Sequence, residues 1–261
     1  AAVYGFGHAE EIVGRAIKGR SKPPYIFTKA SRRPTADGKI EGILKAASIR
    51  EEVEDSLRRL QVDVIDLYQV HWPFPETDIE EGWTTMAELK AQGKVRFIGV
   101  SNFNVGQMQR AQRIAPISSL QPPYSLLNRD IESGVLDFCK EHNIGVIVYS
   151  PMASGLLTGK WSAERVQSLP ETDWRRKSPL FQEPRLSRNL ALANLLAKIG
   201  SRTGHSAGEV AIAWTLRHPA VTAAIVGGRH PSQVEETVGA SDLQLSDQDF
   251  AEIQQFVQTQ L

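Results

Sequence analysis

Six places in this sequence put a polar or charged side chain at the end of a short apolar run. Lys29 closes Phe27-Thr28-Lys29, and His71 closes Gln69-Val70-His71 ahead of Trp72 and Pro73. Ser101 and Asn102 end the next run, Gln121 precedes two prolines, and Tyr149 and Ser150 end the fifth. Gly227, Gly228 and Arg229 follow the sixth. In parallel strands such groups gather at one edge of the sheet, where an ammonium, an imidazole and a glycine–arginine loop suited to phosphate can share one site. Each has a plainer reading when taken singly. Lys29 can be a solvated rim charge, His71 a satisfied core histidine and Tyr149 a core aromatic. Ser101-Asn102 can cap the following helix, Gln121 can tie off backbone groups, and Gly227-Gly228 can form a simple turn. It is the set of six that points to a site.

The elements that must position them follow from hydrophobic spacing. Short runs rich in Val, Ile, Tyr and Phe predict strands over 25–29, 66–71, 97–101, 118–121, 145–149 and 222–226. Several are almost continuously apolar, as strands buried on both faces are. Helical spacing predicts helices over 10–18, 49–60, 79–92, 105–114, 131–142, 188–203, 208–217, 232–240 and 246–259. The first is expected to face inward with Ile12, Val13, Ala16 and Ile17. The second should do so with Ile49, Val53, Leu57 and Leu60, behind a Ser48 N-cap with Glu51 at the capping-box position. Strand–helix alternation with short connections implies parallel βαβ units, in an open sheet or part of a closed barrel. Two connections, 30–47 and 150–184, are longer and polar. They are expected to be loops covering the substrate side of the sheet.

Composition narrows the function. Thirty Lys and Arg balance thirty Asp and Glu among 261 residues, so no global field recruits nucleic acid or an anionic membrane, and an anion must be held locally. The single cysteine, Cys139, excludes an intramolecular disulfide and a multi-cysteine metal site, and it reads as a packing residue. The histidines show no metal-ligand spacing, so no metal is expected. No apolar stretch reaches the ~20 residues that cross a bilayer.

Several segments, in order, resemble the aldo–keto reductase family. They are Ala1-Ala2-Val3-Tyr4-Gly5, Thr28-Lys29, LRRLQVDVIDLYQVH ending at His71, GKVRFIGVSNF over 93–103, YSPMASGLLTGK over 149–160, and AIVGGRHPSQVEE over 224–236. The likeness runs essentially the whole length and is nearer the prokaryotic and channel-subunit-like branches than the mammalian aldose reductase branch. It implies an α/β fold, a (β/α)8 TIM barrel, forming one domain over residues 1–261. It also implies a cytoplasmic enzyme that reduces an aldehyde or ketone with NADP(H), NAD(H) being the lesser expectation. The partner implied is a small carbonyl compound, with no nucleic acid or membrane.

Residue by residue, the resemblance makes Tyr4 the proton donor, Lys29 its partner and His71 the group that orients the carbonyl. Hydride arrival builds an alkoxide that needs a proton, a phenol with pKa ~10 donates slowly, and a neighbouring ammonium favours its phenolate. Ser101, Asn102 and Gln121 match the trio that grips the nicotinamide carboxamide, and Tyr149 the aromatic behind the ring. Ser150, Met152, Gly155 and Leu157 match the loop passing the pyrophosphate. Gly227, Arg229 and Ser232 match the 2′-phosphate site, with Gln233 and Glu236 on the adenosine side. Trp72 and Phe74 are expected in the substrate pocket.

The family pattern also has an aspartate five residues before the tyrosine, ahead of Ala1. The resemblance therefore leads us to expect a domain lacking about fifty N-terminal residues, its six strands being the third to eighth of eight. A fragment of a longer protein is the favoured explanation, over a natural truncation or a rearranged sheet. Without the aspartate, turnover by this chain alone is expected to be strongly reduced. A catalytically impaired, cofactor-binding regulatory subunit is the alternative function. A barrel enzyme acting on a phosphorylated substrate would explain Gly227–Arg229 but leave Ser101, Asn102, Gln121 and Tyr149 unused.

Overall fold

The computed structural model describes residues 1–35 and 37–260. A 3-10 turn over Tyr4–Gly7 leads into α1 (His8–Ile17), β1 (Phe27–Ala30), β2 (Arg32–Pro34) and β3 (Ile40–Gly42). There follow α2 (Ala46–Leu60), β4 (Ile65–Val70), α3 (Ile79–Ala91), β5 (Val95–Ser101), α4 (Val105–Gln112) and β6 (Ser119–Gln121). Then come α5 (Val135–Glu141), β7 (Gly145–Tyr149), α6 (Ala163–Gln167), α7 (Arg185–Ser201) and α8 (Ala207–Leu216). The chain ends with β8 (Val221–Ile225), α9 (Pro231–Val238) and α10 (Asp247–Gln260). All six expected strands are present, and the fold is α/β.

The chain divides into two compact units, one of Ala1–Pro122 with Asp137–Val146, the other of Pro123–Leu136 with Ile147–Leu261. In the first, β1, β4, β5 and β6 lie side by side in that order, all parallel, and β6 pairs with the opening residues of β7. Their interior is apolar: Ile49 and Val53 of α2, Ile65 and Leu67 of β4, and Trp83 and Met86 of α3 are buried. The second unit holds the rest of β7 and its neighbour β8. Its core includes Leu192 and Leu196 of α7 and Val210 and Trp214 of α8, with the Tyr124 ring 5.2 Å from Trp214. Ser206 and Glu209 form a capping box that starts α8.

Three local expectations are corrected. β1 starts at Phe27, not Tyr25, because the Ile26 N–H is taken by the Asp66 carboxylate 2.8 Å away and Pro23-Pro24 offer no donors. The face of α1 turned inward carries Glu10 and Gly14, while Ile12 and Val13 are exposed. Gly14 is what permits the close approach, since a Cβ there would stand 2.7 Å from the carbonyl oxygens of Arg59 and Leu60. Glu10 binds Thr28 Oγ1 (2.5 Å), Ser56 Oγ (3.0 Å) and Arg59 Nε (2.7 Å), so polar contacts replace an apolar stripe. Ser48 does not cap α2. It lies one turn inside, donating to Glu52 Oε1, while Glu51 pairs with Arg33.

The two long connections are also structured. Segment 30–47 contains the antiparallel β2–β3 hairpin, closed by Thr35 N–H on Lys39 O at 2.8 Å. Ala36, within it, lies outside the described residues. Segment 150–184 contains α6 and 3-10 turns over Leu156–Thr158, Trp174–Lys177 and Pro179–Phe181.

Candidate active site

β1 and β4 are neighbours in parallel register, with Lys29 opposite Gln69. His71 stands two residues beyond Gln69, so the strand period of two gives Gln69 and His71 the same face and puts Lys29 level with it. The His71 N–H donates to Ala30 O at 3.0 Å, which carries the pairing one step past the strand. Tyr4 reaches this face through the 3-10 turn, in which Gly5 and Phe6 both take left-handed backbone angles.

Tyr4 Oη lies 3.5 Å from His71 Nε2, with ring centroids 5.8 Å apart and planes tilted by 54°. Lys29 Nζ stands 5.8 Å from the Tyr4 ring centroid. The three groups thus meet in one place. Burial drives the His71 pKa down to about 3, with the Lys29 charge adding to the effect, so the ring is neutral across the physiological range. Burial also lowers the Lys29 ammonium and raises the Tyr4 phenol. The expected lowering of the phenol by Lys29 is not what this geometry produces. The ammonium faces the ring, and desolvation dominates. His71 is no satisfied core histidine either, because its Nδ1 is buried without a hydrogen-bond partner.

Ser101, Asn102 and Gln121 form a connected polar chain beside this trio. Asn102 Nδ2 donates to His71 O and to Ser101 Oγ, both at 3.0 Å, and Ser101 Oγ donates to Gln121 O at 2.7 Å. Asn102 adopts φ 62°, a left-handed conformation that asparagine tolerates better than most residues. The cap of α4 is Asn104, in a capping box with Gln107, so Ser101 and Asn102 are not spent on capping.

Gln69 is a residue that pattern reading missed. Fully buried on β4, it donates to Ser119 Oγ at 3.2 Å and accepts from Gln121 Nε2 at 3.1 Å. It spans β5 because Gly99, paired with both Gln69 and Ser119, has no side chain; a Cβ there would stand 2.2 Å from Ser119 Oγ. A glutamine inside an apolar run was the available signal.

The second unit contains a cleft of about 650 Å³. Of the residues expected to hold a dinucleotide, Tyr149, Ser150, Met152, Gly155, Gly227, Arg229, Gln233 and Glu236 line it. Ser232 is exposed on α9 outside the lining, and Leu157 is fully buried in the core. Gln233 Oε1 accepts from the backbone N–H of Arg229 (2.6 Å) and of His230 (3.3 Å), and Glu236 pairs with Lys160 Nζ at 2.5 Å. Nothing lies within 4 Å of the space a Gly227 side chain would take, which leaves room for a ligand beside the backbone. Lys160, Arg165 and Arg175 add cations that motif reading did not assign. Arg165 and Arg175 lie 4.7 and 4.9 Å from the Trp161 ring centroid. Lys160 closes the quoted 149–160 segment and Arg175 lies in the charged stretch 173–177, while nothing singled out Arg165.

Trp72 and Phe74, past the end of β4, stack at 6.2 Å with planes 15° apart and are both partly exposed. Cys139 is buried, its thiol pushed up to about 12. Among the described residues no cluster of three His, Cys, Asp or Glu is arranged to hold a metal, and no helix is long and apolar enough to cross a membrane.

A model of the aldo/keto reductase family matches residues 1–258. The aldo-keto reductase YhdN of Bacillus subtilis is 42% identical over 239 residues, covering 90% of this chain and 71% of that protein. The NADH-specific methylglyoxal reductase of Escherichia coli is 32% identical, covering 94% of this chain and 78% of that protein. The aldo-keto reductase yakc [NADP(+)] of Schizosaccharomyces pombe is 33% identical, covering 97% and 76%. Among solved structures, the glycerol dehydrogenase AKR11B4 from Gluconobacter oxydans matches with TM-score 0.94 at 36% identity, over all of this chain and 80% of that one.

Proposed function

The chain belongs to the aldo/keto reductase family, and on that premise we propose that it reduces an aldehyde or ketone to an alcohol with NADP(H), Tyr4 supplying the proton. The observation that carries this reading is the 3.5 Å approach of Tyr4 Oη to His71 Nε2, with Lys29 beside the phenol ring. A carbonyl oxygen seated between phenol and imidazole takes hydrogen bonds from both. Neutral His71 in its Nε2–H tautomer orients the carbonyl and stabilises negative charge growing on oxygen. Tyr4, a half-exposed phenol that partial burial lifts above its ordinary pKa, delivers its proton to that oxygen, and the Lys29 ammonium over its ring is assigned, on the resemblance, to assist that transfer.

The reduced nicotinamide, when bound, supplies the hydride. Asn102, Ser101 and Gln121 are assigned to the carboxamide. Their connection to the His71 carbonyl through Asn102 Nδ2 supports that role, and Tyr149 is assigned to the ring face. Arg229 and the open backbone at Gly227 suit a 2′-phosphate, which supports NADP(H) over NAD(H). We place the reaction in the cytoplasm, on the resemblance alone.

The test is to follow NADPH and NADH oxidation by the purified protein against a panel of aldehydes and ketones, with Tyr4→Phe alongside. The reading expects NADPH-dependent turnover that Tyr4→Phe lowers by about 10²–10⁴-fold, the usual reach of general acid catalysis, with NADPH binding unchanged. Turnover that survives Tyr4→Phe would remove the assigned acid. Tight NADPH binding with no turnover on any carbonyl would favour the cofactor-binding subunit instead.

A further inference from the structure

Ser31 follows β1 directly and is fully buried, yet it adopts φ 75°, a left-handed conformation that is strained for a residue with a side chain. Its surroundings hold it there through every polar group it has. The N–H donates to Glu52 Oε2 at 3.1 Å, and the carbonyl accepts from Ile43 N–H at 3.2 Å. The hydroxyl donates to Trp72 O at 3.1 Å and accepts from Trp72 N–H at 3.3 Å. One hydroxyl therefore fixes the peptide groups on both sides of Trp72, whose neighbour in sequence is His71. Glu52 is itself buried on α2 and also accepts from Ser48 Oγ at 3.1 Å.

We propose that Glu52, acting through Ser31, is a positioning residue that sets Trp72 against the carbonyl substrate. The assignment rests on the reductase reading for the identity of that substrate; the linkage from Glu52 to Trp72 does not. Two donors, Ser31 N–H and Ser48 Oγ–H, reach the two carboxylate oxygens, so the ionised form accepts from both, and protonation weakens the acceptor that holds Ser31 N–H. Ser31 also bonds Ile43, next to Gly42, and a Cβ on Gly42 would come within 3.1 Å of Phe74 O. The link therefore reaches the segment lying against Trp72's stacking partner.

Burial lifts the Glu52 carboxyl to about 7. Facing it are Glu10 of α1, which raises it further, Arg33 of β2, which lowers it, and the buried phenol of Tyr68 on β4. Trp72 should therefore be held more loosely as pH falls through neutrality.

The experiment is fluorine NMR of protein labelled with 5-fluorotryptophan. The sequence has five tryptophans, and the resonance lost in Trp72→Phe identifies Trp72. In the unaltered protein that resonance should move with a midpoint near 7. It should not move with pH in Glu52→Gln, nor in Ser31→Gly, which keeps the backbone conformation and deletes only the hydroxyl link. Ser31→Gly should also raise KM for the carbonyl about tenfold with NADPH affinity unchanged, a split that general loosening of the fold would not give. A Trp72 resonance that titrates in Glu52→Gln as it does in the unaltered protein overturns the proposal, as does an unchanged KM in Ser31→Gly. Absence of turnover in every protein would count against the reductase reading alone, and the fluorine titration would still decide the linkage.

Discussion

The Tyr4 hydroxyl lies 3.5 Å from Nε2 of a His71 whose other ring nitrogen is buried without a partner. The imidazole therefore turns its one engaged edge toward the phenol. Burial and the Lys29 charge hold it neutral, at about 3.

The first consequence is kinetic. In a Glu52→Gln background, where Glu52 cannot titrate, kcat/KM for carbonyl reduction should stay level between about pH 5 and 7. An acidic limb with a midpoint near the ordinary histidine value, present in that background and abolished by His71→Gln, would show that the ring does ionise there.

Stability should depend on pH through two opposing groups. A histidine whose folded pKa lies below its unfolded value leaves the unfolded chain binding more protons, so His71 makes stability rise between about pH 3 and 6.5. Glu52 works in reverse: its folded pKa near 7 exceeds the unfolded 4.5, so stability falls as pH rises through that window. The two slopes should largely cancel near pH 5 to 6, each reaching at most about 1.4 kcal/mol per pH unit. Glu52→Gln should uncover a rising profile and His71→Gln a falling one, both measurable by urea denaturation. Identical profiles in the two variants would contradict both assignments.

Cofactor choice should rest on Arg229. Arg229→Ala is expected to weaken NADPH binding by about tenfold or more, roughly 1.4 kcal/mol, and to change NADH binding by less than twofold. Equal losses for both cofactors, measured by fluorescence titration, would move the 2′-phosphate assignment to other cations of the cleft.

Gln69 joins Gln121 to Ser119 across Gly99. Gln69→Leu leaves buried amide and hydroxyl groups unpaired and should cost about 1–3 kcal/mol by chemical denaturation. Gly99→Ala should destabilise as well, by forcing apart the same neighbours. A neutral Gln69→Leu would mean that water or local rearrangement replaces the link.

How much of this was legible depends on the kind of signal each residue leaves. The strands appear in sequence because strands buried on both faces need nearly continuous Val, Ile, Tyr and Phe, and β4, β5 and β7 have them. The positions of Lys29, His71, Ser101 and Gln121 follow, since a polar residue closing such a run must lie at the sheet's edge. The roles assigned to them came from resemblance, and spacing alone left plainer readings open. Only the tertiary structure decided that residues 4, 29 and 71 converge, because that needs the β1–β4 register and the turn at Gly5-Phe6. It likewise decided which face of α1 turns inward. Glu10 and Gly14 fit against α2 where Ile12 and Val13 do not, a matter of close backbone approach that hydrophobic period does not encode. Gln69, Ser31 and Glu52 stayed invisible for the same reason: a buried polar group is recognised by its partners, and those partners lie tens of residues away in the chain.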